Sequence, residues 1–271
     1  MWIERLARFG YATKGFVYGV IGVLAVVAAF STGGKTTGSE GALQTLAAQP
    51  LGQILLLLIG VGLIGYIIWR IVQAVNDPDN KGSDFKGIFQ RLGYVTSGLV
   101  YTGLAWTAFK LALGAGSSSG GGNTKQDITA QILSQPFGRW MIGTMGAFII
   151  GLGCYRLYKA YHTKFRKRLD LQELNLTQEK IIVNICRIGI AARGIVFILI
   201  GFFLIQAARQ FDADEVRGLD GVLQTLAQQP FGKILLALVA LGLIAYGIYM
   251  GVQARYRQID TGSNSRQVIS S

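Results

Sequence analysis

The chain has 271 residues and a net charge of +12, and 51% of its residues are hydrophobic while only 15% are charged. Ordinary soluble domains carry about 25% charged residues, so there is too little charge here to cover a water-soluble globule. The same inventory argues against an enzyme or a metalloprotein, because it holds a single histidine, two cysteines without metal-ligand spacing and no recognisable nucleophile–base pair.

A transmembrane helix needs about 20 mostly apolar residues, since the hydrocarbon core is roughly 30 Å thick and a helix rises about 1.5 Å per residue. In chain order, the uncharged runs at 15–34, 51–69, 92–109 and 234–254 meet this requirement. Two weaker runs, 140–155 and 194–208, meet it if the flanking Arg139, Arg156, Arg193 and Arg209 snorkel to the headgroups. Six spans are therefore predicted, at about 10–31, 51–74, 93–113, 138–160, 188–208 and 231–254. The first has the basic start and small residues (Ala28, Ala29) of a cleavable leader. Its phrases recur at internal segments, so it is read as a permanent span.

The odd spans share an opening phrase: RFGYATKGFVY from Arg8, RLGYVTSGLVY from Arg91 and RIGIAARGIVF from Arg187. A polar elbow follows each. It reads LQTLAAQPLG at 43–52, TAQILSQPFG at 129–138 and LQTLAQQPFG at 223–232. Ser39, Glu40, Asp127 and Asp220 are placed to cap a short elbow helix. Leu43 and Leu46, with Leu223 and Leu226, form its apolar face. Pro50, Pro136 and Pro230 are expected at the first position of each return helix, where a missing N–H costs nothing. The preceding Gln49, Gln135 and Gln229 either belong to a rigid corner or converge as a ring of amides on a pseudo-threefold axis.

Each even span closes on a tyrosine and a second aromatic three residues on: Tyr66/Trp69, Tyr155/Tyr158 and Tyr246/Tyr249. An interfacial belt is the expected role. The chain thus reads as three tandem two-helix units, at 1–75, 84–160 and 178–256, with linkers at 76–83 and 162–177 and a polar tail at 257–271. In the second unit the Pro-to-Tyr distance is three residues longer. The glycine-serine stretch 115–126 is expected to be a flexible loop.

This threefold pattern resembles the bacterial membrane-protein family catalogued as domain of unknown function 1206. The resemblance rests on the R-x-G-Y, Q-P-[LF]-G and Y-x-x-[WY] phrases together. It implies a six-helix membrane fold in the bacterial inner (plasma) membrane and brings no activity or cofactor.

Charge placement orients the fold. With Lys and Arg assigned to the nearer end of each span, nineteen fall on the side of the termini and seven on the other. The side rich in Lys and Arg is cytoplasmic, so both termini are expected inside. The basic balance is accordingly a topology signal, and no nucleic-acid-binding motif accompanies it. No span contains Asp or Glu, which argues against a proton- or sodium-coupled transporter. Lys14, Arg156 and Arg193 are the cations set deepest in the spans. Together with Arg8, Arg91 and Arg187 they are candidate contacts for an anion or a lipid headgroup, unless they simply snorkel. Lys164, Arg166, Lys167 and Arg168 form a basic cluster that would pin a cytoplasmic loop to anionic lipid.

The sequence therefore predicts an all-α integral membrane protein without catalytic, metal or cofactor sites. Its six helices form three tandem hairpins about a pseudo-threefold axis. Two functions are open: a non-catalytic scaffold or assembly factor that binds anionic lipids or a membrane-protein partner, and a facilitative channel or transporter for a small anionic or neutral solute.

Overall fold

The computed structural model describes residues 2–30, 37–78, 82, 84–114, 124–163, 165–166, 169–171 and 175–258. The expectations for the 115–123 stretch, for the tail beyond 258 and for Lys164, Lys167 and Arg168 lie outside the described residues. The fold is all-α. Three long helices, α1 (Trp2–Phe30), α4 (Phe85–Ala112) and α7 (Leu176–Gln210), alternate with α3 (Gly52–Val75), α6 (Gly138–Tyr161) and α9 (Gly232–Tyr256). Short elbow helices α2 (Ser39–Ala47), α5 (Thr124–Leu133) and α8 (Leu219–Ala227) join them.

The long helices begin earlier than the apolar runs suggest, because the arginine-glycine phrase is itself helical. Local capping fixes two of these starts. Asp84 accepts from Gly87 N–H at 3.0 Å, and Asn175 forms a capping box with Gln178. Five helices are long and apolar enough to cross a membrane: 4–30 within α1, then α3, α6, α7 and α9. α4 is the exception among the six expected spans. Its 28 residues give a length of about 42 Å, but Thr96, Ser97, Thr102 and Thr107 lower its apolarity. Thr96, Thr102 and Thr107 turn their hydroxyls back onto the carbonyls of Leu92, Gly98 and Gly103, which reduces the polarity they expose.

The elbows correct two expectations. The prolines do not start the return helices. Each sits second in a four-residue turn closed by glycine N–H to glutamine C=O, at 2.9 Å (Gly52→Gln49), 2.9 Å (Gly138→Gln135) and 2.7 Å (Gly232→Gln229). The third residue is left-handed at Leu51 (φ 62) and Phe231 (φ 61), as a type II turn requires, whereas Phe137 has φ −112. The fourth position must be glycine: a Cβ there would lie 2.3, 1.8 and 2.2 Å from carbonyl oxygens of the elbow helices. The expected acidic and hydroxyl caps instead fall inside the first helical turns, and Gly38 and Gly218 hold the N-cap positions of α2 and α8. Leu43 and Leu223 are fully buried, so the short helices do dock by an apolar face.

The long helices pack in an arc of order α4, α3, α1, α9, α7, α6. The most extensive seams join different repeats: α6 to α7, α1 to α9 and α3 to α4. Glycine makes two of them possible. A Cβ on Gly15 would lie 2.8 Å from the Gly247 carbonyl, and one on Gly153 would lie 2.7 Å from that of Gly194. Within repeats one and three, Gly10 and Gly189 press on the backbone of Tyr66 and Tyr246, at 2.5 and 2.3 Å for an added Cβ. The two phrases of the sequence are thus each other's packing partners. In repeat two the corresponding Gly93 meets only the Leu152 side chain. The backbones of α4 and α6, the two ends of the arc, stay apart.

Two further expectations change. Tyr66, Trp69, Tyr246 and Tyr249 are buried, at 0–3% exposure, rather than interfacial. They line the inner side of the arc because the glycines opposite them draw the helices together. Tyr155 is half-buried, and Tyr158 alone of the six is exposed. The 162–177 linker is also more than a loop. Phe165, Leu169 and Leu171 are buried, and Asp170 N–H donates to the Tyr256 carbonyl at 2.8 Å.

Gly189→Ala is expected to lower the melting temperature of the detergent-purified protein by about 3–10 °C, the range for overpacking by 1–3 kcal/mol. Gly251→Ala, where an added Cβ meets nothing within 4 Å, is expected to leave it unchanged. Equal effects would remove the glycine contact as the basis of the arc.

Candidate functional site

The arc encloses a cavity of about 590 Å³. This lies within the roughly 300–1,000 Å³ typical of ligand pockets. All six long helices contribute to its wall. Among the described residues Lys14, Arg70, Arg156, Lys159, Arg193 and Arg257 bring six cations, against the single carboxylate of Asp84. Tyr94, Tyr101, Tyr155, Tyr246 and Tyr249 bring phenols, and Val100, Leu152, Phe197 and Met250 complete much of the apolar wall.

The repeats explain why these residues meet. Lys14, Ser97 and Arg193 hold the same place in the opening phrase, one residue before its second glycine. Arg70, Lys159 and Met250 hold the same place in the closing phrase, four residues after its tyrosine. All six line the cavity. One turn of an odd helix and one turn of an even helix, used three times, build most of the polar wall.

Lys14 does not snorkel. It is 2% exposed, donates to the Tyr66 hydroxyl at 2.7 Å, and lies 4.4 Å from the ring centres of Tyr66 and Tyr101. Tyr18 and Tyr246 complete the box at 5.9 and 5.8 Å. The position is too far from either end of α1 for the side chain to reach out, and the ring faces replace water as the ammonium's surroundings. The Tyr66 oxygen also accepts from Arg70, through Nε at 2.6 Å and through Nη2. One phenol oxygen therefore tethers two cations.

Deeper on the opposite wall, Arg156 and Arg193 both stack on Phe197, each 4.5 Å from the ring centre. Arg193 also lies 4.7 Å from the Tyr18 ring, and its buried Nη1 has no hydrogen-bond partner. Nearer the end of the bundle, Arg257 donates to the Tyr11 hydroxyl at 2.7 Å and to Gln253 Oε1 at 3.1 Å. Trp69 Nε1 reaches the same Tyr11 oxygen at 2.9 Å. Gln253 donates to Tyr249, which also receives the Lys159 ammonium at 3.4 Å. Asp84, the only carboxylate of the cavity among the described residues, is exposed and engaged as the cap of α4.

The other residues named from the sequence fall elsewhere. Gln49, Gln135 and Gln229 are exposed at the elbows and do not line the cavity. Pro50, Pro136 and Pro230 stand beside them, also exposed. Arg8 caps the end of α9 and Arg91 that of α3: Arg8 donates to the carbonyls of Ala254 (2.9 Å) and Arg255 (2.5 Å), and Arg91 to those of Ala74 (2.7 Å) and Val75 (3.0 Å). Such capping satisfies helix-end carbonyls and the negative end of the dipole. Arg187 is exposed and lies over the Tyr161 ring. Arg166, from the basic cluster, pairs with Glu179 at 2.5 Å. Of the six candidate anion contacts, Lys14, Arg156 and Arg193 therefore reach the cavity. Arg70, Lys159 and Arg257 join them. Arg70 and Lys159 were legible as an i, i+4 extension of the tyrosine phrase. Among the described residues no His, Cys, Asp and Glu cluster could hold a metal ion.

The fold and cavity define a multi-helix bundle suited to a membrane, with a polycationic interior site. The chain belongs to the family described as Domain of Unknown Function (DUF1206), whose model matches three times, at residues 9–77, 92–162 and 188–257. It is 41% identical over 258 residues, covering 95% of this chain and 92% of the relative, to "Uncharacterized protein YxxB" of Bacillus subtilis (strain 168). No solved structure matches the chain.

Like charges that crowd one cavity repel each other. Arg193→Met, which removes one of them without breaking a hydrogen bond at Nη1, is expected to keep or raise the melting temperature of the ligand-free protein at low salt. A fall of more than about 5 °C, which corresponds to a loss of roughly 1–3 kcal/mol, would make Arg193 a structural residue instead.

Proposed function

We propose that this protein is a non-catalytic binding scaffold of the bacterial inner membrane that holds a multiply charged anion in its central cavity. In this reading the six long helices all span the bilayer, as three hairpins about a pseudo-threefold axis, with both termini and the cavity mouth on the cytoplasmic side. The observation that carries the proposal is the charge imbalance of the wall: six cations face one exposed carboxylate around about 590 Å³. Cations taken out of water cost several kcal/mol each unless they are paired. Aromatic faces and phenols offset part of this, and an anion with two or more charges offsets more.

Binding is favoured over conduction by where the wall stops. The cavity lining reaches Lys14 on α1, Tyr101 on α4 and Phe197 on α7. Beyond that level Ile21, Ala25, Leu104, Ala108, Leu204 and Leu243 are buried. Apolar side chains fill that part of the bundle, and Gln49, Gln135 and Gln229 stand outside it.

The reading is tested by titrating inorganic diphosphate into the detergent-purified protein by calorimetry. Micromolar affinity is expected at low salt, weakening as salt screens the site. Arg156→Met and Arg193→Met should each weaken it at least tenfold, about 1.4 kcal/mol. The triple variant Gln49→Ala, Gln135→Ala, Gln229→Ala should bind as the parent does. Absence of binding, or diphosphate-dependent leakage from proteoliposomes, would defeat this proposal.

A further inference from the structure

The second repeat departs from the other two where the cavity meets the side of the bundle. In repeat one, Thr13 fills the space over Gly62, with its Oγ1 2.0 Å from where a Cβ would stand. In repeat three, Ala192 does the same over Gly242 at 2.3 Å. Each glycine lies four residues before the tyrosine of its even helix. The corresponding pair in repeat two is Thr96 and Gly151, and it is open. Thr96 lines the cavity, and Gly151 is met by the Phe89 ring at 3.0 Å instead. Phe89 also packs edge-on against Phe148, with ring centres 5.0 Å apart. In repeat one the Phe89 position is Leu6, which sits directly on Gly65. At this level α4 and α6 meet through side chains, Phe89 on Phe148 and the Tyr155 hydroxyl donating to Gln90 Oε1 at 3.1 Å, and not through a close backbone approach.

The consequence is a slit between the two ends of the arc. Val100, one turn beyond Thr96, lines the cavity and is nonetheless 65% exposed, so the cavity reaches the lateral surface there. The lining there is apolar, with Val100 on α4 and Leu152 on α6. A free anion has no reason to sit against it. A molecule with an anionic head and apolar tails matches both parts at once.

Building on the anion-binding reading, we infer that the occupant is a membrane phospholipid with an anionic headgroup. Its phosphate lies among Lys14, Arg156 and Arg193, and its acyl chains leave between α4 and α6. Arg193 Nη1, buried and unpartnered, supplies a donor already aimed for a phosphate oxygen. The Ser97 hydroxyl, 3.4 Å from the Tyr66 oxygen, stands on the α4 side of the same space, where a third cation would close the slit to lipid.

The test is native mass spectrometry of the full-length detergent-purified protein offered phosphatidylglycerol and phosphatidylcholine in equal amounts, alongside the diphosphate titration. One retained phosphatidylglycerol per chain is expected, at least fivefold over phosphatidylcholine. Val100→Trp should fill the slit, and Phe89→Leu should close it. Both should lose the lipid at least fivefold; Phe89→Leu, which lies outside the cavity lining, should keep diphosphate affinity, whereas Arg193→Met should lose both ligands. Equal retention of the two lipids, or phosphatidylglycerol retention unchanged in both slit variants, overturns the lipid assignment. If diphosphate still binds in that case, the anion site stands. If neither lipid nor diphosphate binds, both proposals fall.

Discussion

Everything in this bundle depends on how closely two helix backbones can approach. Where glycine faces a carbonyl, as Gly15 faces Gly247 and Gly153 faces Gly194, no side chain separates the helices. Contacts of this kind need no hydrophobic drive and so work in lipid, where burying apolar surface gains nothing. They fasten the last helix of one repeat to the first of the next, and α9 back to α1. A second set, Gly10 on Tyr66 and Gly189 on Tyr246, closes the hairpins of repeats one and three. Two of the three seams between repeats, and the closed hairpins of repeats one and three, follow from which glycines find a backbone opposite them, whereas α3 meets α4 through side chains such as Phe109 over Gly60.

The same contacts dictate what can line the interior. A helix pressed against neighbours on two sides turns its remaining face inward, and here that face carries tyrosines and cations. The phenol rings give the cations a polarisable boundary in place of water, and the phenol oxygens give them acceptors. Tyr66 serves Lys14 and Arg70, Tyr11 serves Arg257, and Tyr249 receives Lys159. Among the described residues no buried carboxylate lines the wall, and it is this excess of positive charge that the proposed anion would neutralise.

Repetition with one deviation makes this a site with a direction. Three perfect repeats would give three closed hairpins and a sealed interior. Repeat two substitutes Ser97 for a cation and Phe89 for the leucine of repeat one. It also lengthens its elbow-to-tyrosine span by three residues. Those changes concentrate on α4, which among the described residues adds no cation to the wall, while α6 opposite it brings Arg156 and Lys159.

The sequence alone determined the all-α class, the three repeats and the positions of most helices, because apolar run length, glycine content and recurring phrases are local properties. Even the elbow turn was half legible: glutamine, proline and glycine marked a corner, although the left-handed Leu51 and Phe231 placed the proline in the turn and not in the helix. Tertiary structure alone decided which polar residues look inward. Gln49, Gln135 and Gln229 carried the cleanest repeat signal and face outward, because the turn needs only their backbone. Tyr66, Tyr246 and Tyr249 read as a membrane belt and are core, because whether a ring meets lipid or a glycine depends on the helix across from it. Lys14, Arg70, Arg156, Lys159, Arg193 and Arg257 are scattered over 244 positions, and only the order of the arc brings them around one space.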